Sequence, residues 1–283
     1  MIAGTIFKGR KLVIGTMHGK GRVIAPVLEK KLGVRCVIVP GLNTDQLGTF
    51  TGETERPWDP LTTARKKCQL AMEIADCDLG IASEGSFGPH PHIPFIPVDD
   101  EWLFFIDKKH KLELHSREVT TATNFGGRLV HNHSELTDFA QRAGFPSHGL
   151  ILRTGEGATT SIVKGITDTD TLLAAFDKIQ QLHGSAFVET DMRAMYNPTR
   201  MLQIEKAAVS LAKKLACNCP VCNTPGFGIH NAKTGLPCQC CGTPTQAVLS
   251  YVHRCVKCGY EKDEMYPTNM EYADPAGCDV CNP

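Results

Sequence analysis

Residues 11–16 (KLVIGT) form a short apolar run that opens onto a glycine-rich turn carrying cations, Met17-His18-Gly19-Lys20-Gly21-Arg22. Beyond it, Val23, Ile24, Val27, Leu28 and Leu32 recur at helical spacing up to Gly33, and residues 34–39 (VRCVIV) read as a second strand. Strand, turn, helix and strand make a βαβ unit. A second helix is predicted over residues 60–75, with Asp59 as its cap and Pro60 at its first position. Its buried stripe is Leu61, Ala64, Cys68, Ala71 and Met72, with Arg65, Lys66 and Lys67 facing away from that stripe. The helix delivers the chain to residues 79–82 (LGIA), a buried strand that stops on Ser83, Glu84, Gly85, Ser86, Phe87 and Gly88. A strand ending in a carboxylate and a glycine turn presents a charge at the rim of an α/β sheet. The plainer reading is an ordinary strand end with a solvated Glu84. Pro89, His90, Pro91, His92 and Pro94 stiffen the exit.

Further on, residues 101–105 and 111–115 alternate as a hairpin turning at 107–110, and residues 117–125 form a threonine-rich extended stretch. A short helix is predicted over 134–143, capped by Ser134 and closed by Gly144. A strand follows over 147–153, with 161–164 pairing nearby. Residues 169–182 are an amphipathic helix, and Asn197-Pro198 starts a last helix that runs to about residue 215. Between the first two helical patterns, residues 43–60 form a long polar loop holding Asp45, Glu53, Glu55, Arg56 and Asp59, and long loops of this kind are often functional.

Charge narrows the partners. Lys+Arg 30 balance Asp+Glu 30, so nucleic acid is not indicated and no acidic tail implies disorder. No apolar run approaches the roughly 18 residues a bilayer span needs. The N-terminus lacks the long apolar region and cleavage site of a signal peptide, so no membrane partner and a cytoplasmic location are expected.

Ten of the thirteen cysteines fall between Cys217 and Cys281, and in a reducing compartment such a cluster reads as metal binding. Four CxxC pairs stand out: Cys219/Cys222, Cys238/Cys241, Cys255/Cys258 and Cys278/Cys281. Two residues between cysteines let both thiolates face one ion, and two such knuckles complete a tetrahedral zinc site. The eight ligands imply two structural Zn2+ sites, with Cys217 and Cys240 spare. The hairpin-length segment between Cys241 and Cys255 suggests that Cys238/Cys241 and Cys255/Cys258 share one zinc ribbon. Cys219/Cys222 would then join Cys278/Cys281, and sequential pairing is the alternative. An iron–sulfur cluster is the competing occupant. A site closed by four thiolates has no open position for catalysis, so the module is read as structural.

Taken together, residues 11 to about 185 resemble the superfamily of inosine/xanthosine triphosphate pyrophosphatases and Maf-like nucleotide pyrophosphatases. The motifs occur in that superfamily's order: a phosphate loop at Thr16-Met17-His18-Gly19-Lys20, and an acidic loop at Gly52-Glu53-Thr54-Glu55-Arg56. An alanine-containing helix start follows at Thr63-Ala64-Arg65-Lys66-Lys67, and then the strand ending in Glu84-Gly85-Ser86. His18 stands where the superfamily carries Asn, and the loop is one residue shorter. The whole chain also resembles a bacterial domain-of-unknown-function family.

The resemblance implies an α/β fold with a mixed sheet flanked by helices over residues 1–190, a connecting helix over 191–216 and a zinc-ribbon-like module over 217–283. It implies a Mg2+-dependent hydrolase of a nucleotide or related phosphate compound, such as a nucleoside triphosphate pyrophosphatase. Glu84, Glu53 and Lys20 would be catalytic; Thr16, His18, Gly19, Arg56, Arg65, Gly85 and Ser86 would bind the substrate. Glu84 and Glu53, with Glu55, would hold the Mg2+, and Lys20, Arg56 and Arg65 would neutralise the triphosphate. The alternatives are a non-catalytic nucleotide-binding protein and a scaffold whose zinc module docks a protein partner. A metallohydrolase using His90, His92, His131 and His133 is a further expectation, resting on the alternation of His131 and His133 along an extended chain.

Overall fold

The computed structural model describes residues 6–39, 42, 57–90 and 93–283. They divide into two units, Gly9–Leu211 and one made of residues 6–8 with 212–283. The first unit thus runs past residue 190 and takes in most of the final helix.

In the first unit, β1 (Lys11–Gly15), α1 (Gly21–Leu32), β2 (Arg35–Ile38), α2 (Pro60–Ile74), β3 (Leu79–Pro89), β4 (Pro97–Asp107) and β5 (Leu112–Thr120) build a mixed five-stranded sheet in the order β2-β1-β3-β4-β5. The first three strands are parallel and the rest antiparallel. The steps β1–α1–β2 and β2–α2–β3 run in opposite directions along the sheet, and right-handed crossovers then place α1 and α2 on opposite faces. Asp59 caps α2 by accepting from Thr62 N, as its sequence position implies, and a left-handed Gly33 closes α1. Gly15 lets α2 lie directly on β1, since a Cβ there would come within 2.8 Å of Lys67 O and 2.9 Å of Ala71 Cβ. Ala64, Cys68, Ala71 and Met72 of α2 pack with Val13, Ala82, Phe104 and Ile106 as one core cluster.

The strand of Glu84 departs from expectation. β3 does not stop at Ala82; it continues as a strand to Pro89, because β4 pairs with it along its whole length, from Leu79–Asp107 to Pro89–Pro97. Only the parallel part ends early, with the Gly15–Ala82 pair as its last rung. Glu84 therefore sits in the middle of a strand, yet two residues beyond the carboxyl end of β1.

The same unit holds a second sheet of β6 (Gly127–Val130), β7 (Leu150–Arg153), β8 (Val163–Ile166) and β9 (Ala186–Thr190), antiparallel in the order β6-β9-β7-β8. The helices α3 (His133–Ala143) and α4 (Thr169–His183) contribute to its core of Val130, Leu136, Leu150, Leu152, Phe176 and Val188. The cap of α3 is Asn132, which accepts from Glu135 N, and not Ser134. Helix α5 (Pro198–Leu215) follows Asn197 as expected. The second unit carries a three-stranded antiparallel sheet, β10 (Gly228–Thr234), β11 (Val248–Arg254) and β12 (Glu261–Met265). Among the described residues, no helix is long and apolar enough to cross a membrane.

Candidate active site and metal centres

Six charged side chains are buried around the carboxyl end of β1: Lys20, Lys67, Glu84, Asp99, Glu101 and Arg200. In open α/β sheets, this is the edge where oppositely placed helices leave a crevice for ligands. Lys20 precedes α1, in a turn where His18 and Gly19 both adopt left-handed backbone angles. Lys67 comes from α2, and its Nζ lies 2.6 Å from Glu84 Oε2, with the two side chains 9% and 1% exposed. In the antiparallel pairing, Gly85 lies opposite Glu101 and Phe87 opposite Asp99, which puts Asp99 and Glu101 on the face of the sheet away from Glu84. There, Arg200 of α5 donates from Nε to Glu101 Oε1 and from Nη1 to the Met192 carbonyl, and its guanidinium stands 5.0 Å over the Phe87 ring. Gly85 makes room for this ion pair, because a Cβ would come within 2.5 Å of Arg200 Nη2 and 2.7 Å of Glu101 Oε1.

Carboxylate oxygens of two of the six are left without a donor. Neither oxygen of Asp99 meets a hydrogen-bond donor among the described residues, and neither does Glu101 Oε2. The neighbour within hydrogen-bonding reach of Asp99 is the Glu101 carboxyl, an acceptor like itself. Burial first, and Glu101 second, push Asp99 up to about 8. Burial also brings the Lys20 amine down to about 7; Arg200 and Lys67 act in the same direction, while Glu101 and Glu84 oppose them.

Of the residues singled out in the sequence, Lys20, Glu84 and Gly85 meet in this cluster. Thr16, His18 and Gly19 lead into Lys20, and Ser86 follows Gly85 on β3. Arg65 does not join them; it is exposed and donates from Nε and Nη2 to Glu113 at 2.9 and 2.8 Å. Glu53, Glu55, Arg56, Asp45 and His92 lie outside the described residues. Lys67, expected to face away from the core, is instead buried, because its position between Ala64, Cys68 and Ala71 is on the apolar stripe. Asp99, Glu101 and Arg200 were not anticipated, although the pattern marks them. Asp99 and Glu101 share the period-two face of the buried Leu103 and Phe105, and Arg200 falls at helical spacing from the buried Ile204, Ala207 and Leu211. Among the described residues, the histidines form no metal site. His133 Nε2 pairs with Asp177 at 2.6 Å, and His90 Nδ1 accepts from Ile93 N.

Among the described residues, the groups of three or more side chains that could hold a metal ion are two cysteine tetrads: Cys219, Cys222, Cys255 and Cys258, and Cys238, Cys241, Cys278 and Cys281. The first knuckle thus joins the third and the second joins the fourth. This interleaving overturns both the ribbon pairing and the sequential one. The reason is the length of β11: seven extended residues separate the Cys238/Cys241 end of the module from the Cys255/Cys258 end by about 20 Å. The Sγ–Sγ separations are 3.7 Å (Cys219–Cys258), 3.5 Å (Cys222–Cys255), 3.9 Å (Cys238–Cys281) and 3.6 Å (Cys241–Cys278). Four sulfurs at about 2.3 Å from a tetrahedral zinc are about 3.8 Å apart, so both tetrads fit Zn2+.

The first two knuckles are copies of one design, Cys-x-x-Cys-x-Thr-Pro, at 219–225 and 238–244. In each, the residue after the second cysteine is left-handed (Asn223, Gly242) and donates its N–H to the first cysteine's carbonyl at 2.9 Å. The threonine holds the second thiol down at about 6, Thr224 for Cys222 and Thr243 for Cys241. A thiol that gives up its proton near neutral pH is ready to ligate. Cys217 and Cys240 belong to neither tetrad and are exposed.

Among solved structures, protein VC0702 from Vibrio cholerae is similar to this chain at 10% identity, over 71% of this chain and 92% of that one, with a TM-score of 0.31. No curated protein matches the chain. A family model described as a domain of unknown function (DUF6671) matches residues 67–283, a stretch that holds Lys67, Glu84, Asp99, Glu101, Arg200 and both cysteine tetrads but not Lys20. The chain belongs to this family.

Proposed function

We propose that the Gly9–Leu211 unit is a Mg2+-dependent hydrolase of a nucleotide or related phosphate compound, a nucleoside triphosphate pyrophosphohydrolase in the reading that the motif order favours. The observation that carries it is the clustering of Lys20, Lys67 and Glu84 where the parallel part of the sheet ends. Lys67 and Arg200 are cationic side chains of the cluster. Lys20 adds a switchable one: a polyanion favours the protonated amine, so phosphate binding draws a proton onto Lys20 Nζ. Charge neutralisation of this kind is most of what phosphoryl transfer asks of a protein.

Glu84, paired with Lys67, is placed to orient a water. Its carboxylate suits Mg2+, which takes carboxylate and phosphate oxygens and keeps waters. Glu84, with Glu53, would hold it; bound there, it offsets phosphate charge and acidifies a water. The test is Glu84→Gln, which keeps the side chain's shape. Mg2+-dependent turnover should fall at least a hundredfold in this variant, assayed well below its melting temperature, which the stranded Lys67 should lower. Unchanged turnover would remove Glu84 from the mechanism.

A further inference from the structure

On the face of the sheet opposite Glu84, two carboxylates, Asp99 and Glu101, face one guanidinium, Arg200. Asp99 is 1% exposed and Glu101 fully buried, and three of their four oxygens meet no donor among the described residues. Arg200 answers Glu101 through Oε1, Lys20 acts on Asp99 through space, and no donor among the described residues hydrogen-bonds either oxygen of Asp99. Burying such a carboxylate is costly unless a cation or a donor reaches it. Apolar residues of similar volume would fill this space at less cost, and the same β4 face carries Leu103 and Phe105 two and four residues further on.

We infer that Asp99 and Glu101 form a divalent-cation site separate from Glu84, taking Mg2+ or Mn2+ through one oxygen of Asp99 and Glu101 Oε2, with water completing the shell. Two carboxylates with waters are a common protein contribution to a Mg2+ site, since this ion gives up its water reluctantly. Glu101 is doubly used: one oxygen is held by Arg200, which fixes the direction of the other. Because β4 is a strand paired on both sides, the two carboxylates two residues apart are set on rigid backbone. Cation binding here requires no hydrolysis and stands apart from the catalytic role given to Glu84.

The experiment is a Mn2+ titration of the full, zinc-loaded chain, followed by calorimetry and by loss of the free Mn2+ electron paramagnetic resonance signal. Wild type, Asp99→Asn and Glu84→Gln are compared. Asp99→Asn is isosteric and replaces a buried carboxyl that no donor among the described residues reaches, so without added Mn2+ its melting temperature should equal or exceed that of wild type. The expected result is that wild type binds Mn2+, Glu84→Gln retains a site, and Asp99→Asn loses one equivalent or binds it at least tenfold more weakly. Loss of hydrolysis in Glu84→Gln with Mn2+ binding retained would separate the two sites. An Asp99→Asn variant that binds Mn2+ like wild type, or a wild type that binds none, would overturn the site.

Discussion

Lys67 and Glu84 meet at 2.6 Å, almost out of contact with solvent. A buried pair of this kind adds little net stability, but removing one partner strands the other charge. Lys67→Met should therefore destabilise the Gly9–Leu211 unit by about 3–5 kcal/mol, read from a denaturant melt, and Lys67→Met/Glu84→Leu should recover much of that loss. Lys20 gives a pH dependence with a definite sign. Its amine titrates near 10.5 in the unfolded chain and about 7 in the fold, so between these values the unfolded state holds the extra proton. Stability then rises with pH across that window, and the contribution is lost as pH falls through about 7. The groups that face Lys20 are Arg200, Lys67, Glu101, Glu84 and Asp99. Lys20→Met should flatten the rise between pH 7 and 10 relative to wild type. At this scale the sequence shows chemistry when a charge interrupts an apolar period, as Lys67 and Arg200 do. It does not show which charges meet, because the Arg200–Glu101 pair joins residues 99 positions apart.

The elements follow local rules closely where helices are concerned. Asp59, Gly33, Gly144 and Asn197-Pro198 punctuate the chain where helices begin or end. Strands proved harder to read. β3 reaches Pro89 because β4 supplies the partner, and no local signal in a Gly/Ser-rich stretch reveals a partner. Among the described residues, β6 pairs with β9, and β9 also with β7; these strands are four and five residues long, and their short apolar runs carry no signal of their own. The four CxxC knuckles were plain in the sequence, but their pairing depends on which ends of β11 they occupy. Interleaving has a direct signature in metal content. Cys222→Ser/Cys258→Ser strikes one tetrad twice, so the purified variant should keep about one equivalent of zinc. Cys222→Ser/Cys241→Ser strikes both tetrads and should lose both ions; the reverse pattern would restore the sequential pairing, and loss of both ions from both variants would restore the ribbon pairing.

For the whole molecule, the two units hold themselves together by different means. The Gly9–Leu211 unit has extended apolar clusters beneath its sheets. In the cysteine-rich unit, a core cluster consists of Cys219, Phe227 and Cys255 with Cys222 packed against it, so the ions substitute for apolar burial. A zinc chelator should unfold residues 217–283 and open them to protease, while a fragment ending near residue 211 survives. The zinc module thus carries no chemistry in this account, and the hydrolase reading rests on the buried cluster at the end of β1. The most direct measurement is incubation of the purified, zinc-loaded chain and Mg2+ with canonical and deaminated nucleoside triphosphates, with pyrophosphate and phosphate release quantified separately. The account predicts pyrophosphate together with a nucleoside monophosphate from at least one of them, and loss of both products in Glu84→Gln. Saturable nucleotide binding with no release from any triphosphate would contradict it and make the cluster a sensor of nucleotides instead.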